Sequence, residues 1–254
     1  MTPVTADATA RLAELIHTAD SVVALTGAGI SVPSGIPDFR SPGTGLWEKV
    51  DPMAVAHIDV FRSDPERFWH FYGGRFQTLE DKQPNRAHLA LAELEQAGLL
   101  QAVITQNIDR LHARAGSLEL IEVHGSIASS SCLRCGASFP IEVVRERLAG
   151  DPAGVPRCDC ESPLKPDVVL FGEYLPVDAI ERAQGLALGA DLMLCIGSTL
   201  EVHPVAGLPD ITLGAGGKLA IITKSSTPFD HVAAVRLNGD VVDELEALLG
   251  ALDF

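Results

Sequence analysis

Ser21-Val22-Val23-Ala24-Leu25-Thr26-Gly27-Ala28-Gly29 is the stretch that decides the fold class. Its first six residues carry no charge and no polar–apolar alternation, so they read as a strand covered on both faces. The glycines then end it. The runs Ala102-Val103-Ile104, Leu120-Ile121-Glu122-Val123, Val168-Val169-Leu170, Leu192-Met193-Leu194-Cys195-Ile196 and Leu219-Ala220-Ile221-Ile222 read alike. Helical segments lie between several of them. Residues 8–19 set Leu12, Leu15, Ile16 and Ala19 on one stripe, and Asn85 caps a helix running to Ala97, with Gly98 as its stop. Ser63-Asp64-Pro65-Glu66 has the form of a capping box. Residues 176–188 and 241–252 read as two more helices. Buried strands alternating with helices imply an α/β protein, a doubly wound, Rossmann-like parallel sheet.

Two stretches interrupt that alternation. Residues 35–83 hold loop and helix without a clear strand, and residues 126–166 hold four cysteines. The expected organisation is a sheet domain built from 1–34, 84–125 and 167–254, a helical cofactor-loop insertion at 35–83, and a zinc-binding module at 126–166. The last two would form a smaller module beside the sheet.

Bulk composition narrows the function. The chain has 254 residues, room for one large domain or one domain with an insertion. Its 46% hydrophobic content and mean hydropathy of +0.20 indicate a globular protein. No apolar run approaches the ~20 residues of a membrane span. Nineteen basic against 34 acidic residues give a net charge of −15. Such a surface repels nucleic-acid phosphate and attracts cationic, lysine-rich segments. Met1-Thr2-Pro3-Val4-Thr5-Ala6-Asp7 lacks the basic-then-apolar order of a secretion signal. Five cysteines, four of them in pairs, fit a reducing, cytoplasmic compartment better than a disulfide framework.

Three features carry chemistry. The first is the glycine loop. Glycines after a strand let backbone approach a pyrophosphate, although the third glycine of G-x-G-x-x-G is replaced by Val32. Phe39 offers an aromatic wall and Arg40 a phosphate partner. The acidic residue that hydride-transfer enzymes place about 20 residues on would be Glu48 or Asp51, but the segment before them reads as loop, which weakens a dehydrogenase. The second is His124, at the C-terminal edge of a strand, where open parallel sheets bind ligands. The third is Cys132-x-x-Cys135 with Cys158-x-Cys160, four soft ligands that suit a closed tetrahedral zinc site of structural character. Cys195, inside an apolar strand, reads as a buried small hydrophobe.

The motifs occur in a definite order. Gly27-Ala28-Gly29-Ile30-Ser31-Val32-Pro33-Ser34-Gly35-Ile36-Pro37-Asp38-Phe39-Arg40 is followed by Thr105-Gln106-Asn107-Ile108-Asp109, His124-Gly125, Phe171-Gly172-Glu173 and Gly197-Ser198-Thr199-Leu200. Over roughly Ser21 to Val242 this series resembles the sirtuins, NAD-dependent protein-lysine deacylases. The resemblance implies two bound groups, NAD and Zn2+, and acylated-lysine protein or peptide substrates. It implies that Ile36, Asn107, Ile108 and Asp109 form the nicotinamide pocket, with Phe39 over the exit path. The cofactor-binding set so implied also holds Gly27, Ala28, Gly29, Ser31, Asp38, Arg40 and Gln106. At the adenosine end it adds Gly197, Ser198, Thr199, Thr223, Lys224, Asp240 and Val241. In the implied reaction the acyl oxygen attacks the ribose C1′ and nicotinamide leaves. His124 is then general base on the ribose hydroxyls, with Asn107 and Asp109 completing the catalytic set. The 2′-oxygen attacks the resulting imidate, and hydrolysis by water gives free lysine and 2′-O-acyl-ADP-ribose. Val169, Phe171, Gly172, Glu173 and Val202 match the segments flanking the acyl-lysine, where the substrate backbone joins as an added strand.

Some positions depart from the family pattern. Ser198 and Thr199 stand in swapped order. Thr223 replaces an asparagine that contacts the adenosine ribose, with Lys224 as the nearest substitute donor. On the helix around Phe71, the Tyr72-x-x-Arg75 pair matches the subgroup that removes malonyl and succinyl groups, since arginine suits a bidentate carboxylate. Asp38, however, stands where that subgroup has threonine, so acetyl is ranked ahead of succinyl. A protein ADP-ribosyltransferase would use the same pocket and is the main rival reading. A non-enzymatic NAD sensor or zinc-ribbon binding module is a second, disfavoured by the presence of both His124 and Asn107.

Overall fold

A computed structural model describes residues 3–38 and 50–253 of the chain. In chain order the elements are α1 (Pro3–Thr18), β1 (Val22–Thr26), a 3-10 turn (Ala28–Ser34), α2 (Pro52–Val55), α3 (Ile58–Ser63), α4 (Pro65–Glu80) and α5 (Arg86–Gln96). Then come β2 (Ala102–Thr105), α6 (Leu111–Ala115), β3 (Leu120–Glu122), β4 (Gly125–Cys132), β5 (Ser138–Pro140), α7 (Ile141–Gly150) and β6 (Leu164–Val168). The chain closes with α8 (Val177–Gly189), β7 (Leu192–Ile196), α9 (Leu208–Gly214), β8 (Lys218–Ile222), β9 (Val235–Leu237) and α10 (Val241–Ala251).

Six strands form a parallel sheet in the order β3-β2-β1-β7-β8-β9. This is the doubly wound Rossmann arrangement, and the strand order reverses between β1 and β7. Period-two alternation explains why each strand reads as uniformly apolar. Val22 and Ala24 of β1 join Leu194, Ile196 and Ala220 under α1, α5 and α10, where Leu12, Ile16, Leu91, Leu94, Leu245 and Leu248 are buried. Val23 and Leu25 join Ile104, Met193, Cys195 and Ile221 on the opposite face, under Ala183 and Ala187 of α8 and Leu208 of α9. Each strand therefore needs hydrophobes on both faces.

A second sheet, β5-β4-β6, is antiparallel and has three strands. One apolar cluster unites it with the helices that follow the glycine loop: Phe61, Phe68, Trp69, Tyr72 and Phe76 pack with Ile127, Ile141, Val144 and Leu164. Trp69 of α4 is fully buried, and its indole N–H donates to the Leu164 carbonyl at 2.9 Å, fixing the helix to β6.

Two local expectations change, and one strand goes unread in the sequence. The run Val168-Val169-Leu170 is not a strand of the parallel sheet. β6 ends at Val168 and pairs with β4, and the Val169 N–H donates to the His124 carbonyl at 2.8 Å, next to the Gly125–Val168 pair. Ser63 does not cap α4. It ends α3, donating its hydroxyl to the Asp59 carbonyl, while the stronger acceptor Asp64 takes the Arg67 N–H at 3.0 Å. The edge strand β9, whose middle residue is Arg236, has too short an apolar pattern to be read from sequence. Among the described residues no helix is long and apolar enough to cross a membrane.

Candidate active site at the sheet switch point

The loops after β1 and β7 meet where the strand order reverses. Their backbones are in direct contact. The Gly29 N–H donates to the Gly197 carbonyl at 2.8 Å, and the Gly27 N–H to that of Ile196 at 3.0 Å. A Cβ on Gly29 would stand 2.7 Å from the Gly197 carbonyl oxygen, and one on Gly197 would stand 2.4 Å from the Ile30 nitrogen. Gly197 also has a φ of 62°, in the left-handed region. The glycines thus serve first to close these two loops on each other. Among the described residues the Ala28, Ser198 and Thr199 amides have no backbone acceptor and stay available for an anion.

Beneath the loops lies a buried polar network. Ser31 is its centre: its hydroxyl donates to Asp109 Oδ2 at 2.6 Å and accepts from Asn107 Nδ2 at 3.2 Å. Asn107 Nδ2 also donates to the Gly27 carbonyl at 3.1 Å, and Asp109 Oδ1 accepts the Leu111 N–H at 2.9 Å. Burial raises the Asp109 carboxyl above its ordinary pKa, opposed by these hydrogen bonds. Ser31, Asn107, Ile36 and Asp109 are all buried. Ile36 and Ile108 belong to the apolar cluster that also holds Tyr72.

His124 follows β3, half-buried. Its Nδ1 lies 2.9 Å from the Gln106 carbonyl oxygen, which can only accept. Nδ1 therefore carries the proton, and Nε2 keeps its lone pair. Burial lowers the His124 pKa, so the ring is a neutral base at pH 7. Gly125 must follow it: its φ is 72°, and a Cβ there would meet the Asp167 carbonyl oxygen at 2.0 Å. Gln106 reaches across the switch point, its Nε2 donating to Ser198 Oγ at 2.9 Å. Thr199 is half-buried beside it.

At the far end of the sheet Thr223 is buried, and its N–H pairs with the Leu237 carbonyl at 3.1 Å. The Lys224 ammonium binds Asp240 Oδ2 at 2.7 Å and lowers the Asp240 pKa, and its other two N–H donors remain on an exposed side chain. Asp240 also caps α10 through the Val242 N–H at 3.0 Å, beside buried Val241. On the other flank, Val169, Phe171, Gly172 and Glu173 follow β6, and Val202 follows β7. Asp38 is half-buried; Phe39 and Arg40 lie outside the described residues.

Tyr72 is buried in an aromatic stack, its ring 4.6 Å from Phe68. Burial pushes its phenol up to about 12, and Arg75 opposes this. The Arg75 guanidinium lies over the Phe71 ring at 5.4 Å, and among the described residues it has no carboxylate partner.

The four cysteine sulfurs lie within 4.8 Å of one another, with Cys132–Cys160 and Cys135–Cys158 at 3.5 Å. A tetrahedral zinc with Zn–S bonds of ~2.3 Å needs sulfur–sulfur edges of ~3.8 Å, so the set fits the metal. Cys195 stands apart, its thiol pushed up to about 12 by burial.

Two histidines of the network escaped sequence reasoning. His88 is fully buried on α5. It accepts the Asn85 N–H on Nδ1 at 3.4 Å, which leaves Nε2–H to donate to Ser31 Oγ, also at 3.4 Å. His112 lies 4.8 Å from it, ring to ring, with Nε2 2.9 Å from Thr26 Oγ1. Thr26 in turn donates to Thr105 Oγ1 at 2.8 Å. The one available signal was a histidine among Ala87, Ala90 and Leu91 on a buried helix stripe.

Comparison with known proteins agrees with this geometry. The family model described as Sir2 family matches residues 27–204. A protein of Thermotoga maritima named NAD-dependent protein deacetylase is 49% identical over 232 residues, covering 91% of this chain and 92% of its own. One of the same name from Sulfolobus acidocaldarius is 47% identical over 224 residues, covering 88% and 86%. A solved structure described as Sir2 with a p53 peptide and NAD+ superposes with a TM-score of 0.86 at 44% identity, covering 94% of this chain and 96% of that one. Another, Sir2 bound to acetylated peptide, gives 0.87 at 43%, covering 95% and 98%. The chain belongs to the Sir2 family.

Proposed function

We propose that this chain is an NAD-dependent protein-lysine deacetylase, moving acetyl from lysine to ADP-ribose with release of nicotinamide. The observation that carries this reading is the neutral His124, its Nε2 lone pair free, set beside the Ser31–Asn107–Asp109 network at the switch point. NAD supplies the ribose carbon and its leaving group. The protein supplies orientation, exclusion of water and a base. Ser31 holds Asn107 and Asp109 together as the polar side of the carboxamide pocket, with Ile36 and Ile108 as its apolar walls. His124 Nε2 takes a proton from a ribose hydroxyl, and the Gln106 carbonyl stabilises the imidazolium through Nδ1–H. Gly27, Ala28, Gly29, Gly197, Ser198 and Thr199 shape the phosphate and ribose end. Thr223, Lys224, Asp240 and Val241 bound the adenosine. Asp38, Phe39 and Arg40 complete the cofactor loop. Val169, Phe171, Gly172 and Val202 flank the acyl-lysine.

Cys132, Cys135, Cys158 and Cys160 hold zinc with every position filled by protein, so it would staple β4 to the turn before β6 rather than act in the reaction. The domain boundaries follow the same division: parallel sheet, helical insertion over 35–83 and zinc module over 126–166. Free, paired thiols support a cytoplasmic setting. The acidic surface suits lysine-bearing protein substrates.

A second reading, removal of succinyl or malonyl groups, is favoured by one observation: Arg75 lies one turn from Tyr72 on α4, its guanidinium over the Phe71 ring and, among the described residues, without a carboxylate ion pair. Mass spectrometry of matched acetyl-, malonyl- and succinyl-lysine peptides with NAD decides between them. Preferential loss of acetyl supports the main reading. Preferential loss of succinyl, abolished in Arg75→Met, transfers the assignment to the second. ADP-ribose attached to protein with no deacylation overturns both in favour of a transferase.

A further inference from the structure

Lys165 is an anomaly in β6. It is 8% exposed, and an ammonium group leaves water only at a cost of several kcal/mol unless its three donors are matched. All three are matched. Nζ donates to the Pro166 carbonyl at 3.1 Å, the Val168 carbonyl at 2.9 Å and Glu173 Oε2 at 2.9 Å. The same Glu173 oxygen accepts the Leu170 N–H at 2.9 Å, and the Glu173 N–H returns to the Leu170 carbonyl at 3.0 Å.

These bonds enclose one short segment. Its outer edges are tied as well: Val169 N–H to the His124 carbonyl, Phe171 N–H to the Ala56 carbonyl at 3.0 Å, and Ile58 N–H to the Phe171 carbonyl at 3.0 Å. Val169 and Phe171 are the side chains assigned to the acyl-lysine, and Val169 hangs on the carbonyl of His124 itself. An apolar residue would fill a buried strand position without the desolvation cost. Lysine instead neutralises Glu173 and satisfies the Val168 carbonyl. Glu173 Oε2 faces this ammonium and so braces the backbone that carries Val169 and Phe171.

We propose that Lys165 and Glu173 are a positioning pair, an internal clamp that holds the 168–173 backbone in the shape that receives the acyl-lysine substrate. The inference rests on the deacylase reading for its kinetic consequence and on geometry alone for its structural one.

The test compares wild type, Lys165→Met and Lys165→Arg. Steady-state kinetics with an acetyl-lysine peptide and NAD, ADP-ribose titration and amide hydrogen exchange are measured on each. In Lys165→Met the peptide KM is expected to rise about tenfold, equivalent to ~1.4 kcal/mol, with ADP-ribose affinity unchanged. The Val169 and Phe171 amides should exchange faster while those of β1 and β7 do not. Lys165→Arg, which keeps a cation for Glu173, should recover most of the loss. An unchanged KM in a folded Lys165→Met protein overturns the proposal. So does a parallel loss of peptide KM, ADP-ribose affinity and β1 protection, which would mark a general structural role. Should the wild type deacylate no peptide, the functional reading falls and exchange alone decides: unaltered protection of Val169 and Phe171 removes the clamp.

Discussion

Acid should loosen this fold through His88. The ring is fully buried on α5, between the Asn85 N–H, the Ser31 hydroxyl and the edge of His112. Burial drops its pKa from 6.5 to about 4. The sign follows from proton counting. Below pH 6.5 the unfolded chain protonates this imidazole while the folded chain cannot, so stability is present at neutral pH and is lost as pH falls toward 4. At pH 5 the loss from His88 alone is ~2 kcal/mol. His112, its pKa also lowered by burial and then by His88, acts in the same direction. Asp109, with its pKa raised, opposes it, because the folded state binds that proton first. The raw pH profile therefore mixes signs, and a variant isolates the term. Urea unfolding of wild type and His88→Gln at pH 7.5 and pH 5 is the assay. The wild type should lose ~2 kcal/mol more than the variant between the two conditions. Equal losses would refute the account of His88 as a buried, neutral ring.

Other perturbations follow from the same geometry. Gly197→Ala puts a Cβ 2.4 Å from the Ile30 nitrogen in a left-handed backbone, which by itself costs ~1 kcal/mol. ADP-ribose affinity by calorimetry should fall at least ~tenfold, and an unchanged affinity would show that the loops need not touch. The cysteine set should carry one zinc per chain by elemental analysis, and Cys160→Ser should release it and expose the β4–β6 amides to exchange, leaving the parallel sheet protected. Zinc-free wild type with a protected small sheet would contradict this. The acid limb of kcat/KM should lie below 6.5, because burial lowers the pKa of His124 and its neutral form is the base. A limb above 6.5 would assign the titration to another group.

The parallel sheet was legible because burial on both faces writes an unbroken apolar run, as in Val22–Thr26 and Leu192–Ile196. Asn85 was legible as a cap because its side chain accepts the Ala87 N–H, a local bond with a local signature. The small sheet was not legible. β4 reads Gly-Ser-Ile-Ala-Ser-Ser-Ser-Cys, without the hydrophobes that mark a strand, since the cysteine cluster and α4 cover part of its face. The motif residues of the site stood in sequence, but their connections did not. Ser31 and Asp109 are 78 residues apart, and only the fold shows that one hydroxyl joins them. Lys224 stood in sequence as a donor, but its tie to Asp240, a contact that bridges 16 residues of chain, did not. Lys165 and His88 sit among apolar neighbours, and nothing in the pattern separates a buried, paired group from a solvated one.

The most direct measurement of the central claim is the stoichiometry of one reaction. Purified protein, an acetyl-lysine peptide and NAD are incubated, and nicotinamide, free-lysine peptide and O-acetyl-ADP-ribose are quantified together, beside a folded His124→Ala variant. Equal amounts of the three products from wild type, and none from the variant, are expected of a base at His124 acting on NAD at the switch point. Deacetylation that proceeds without NAD, or a His124→Ala protein of undiminished activity, would contradict it.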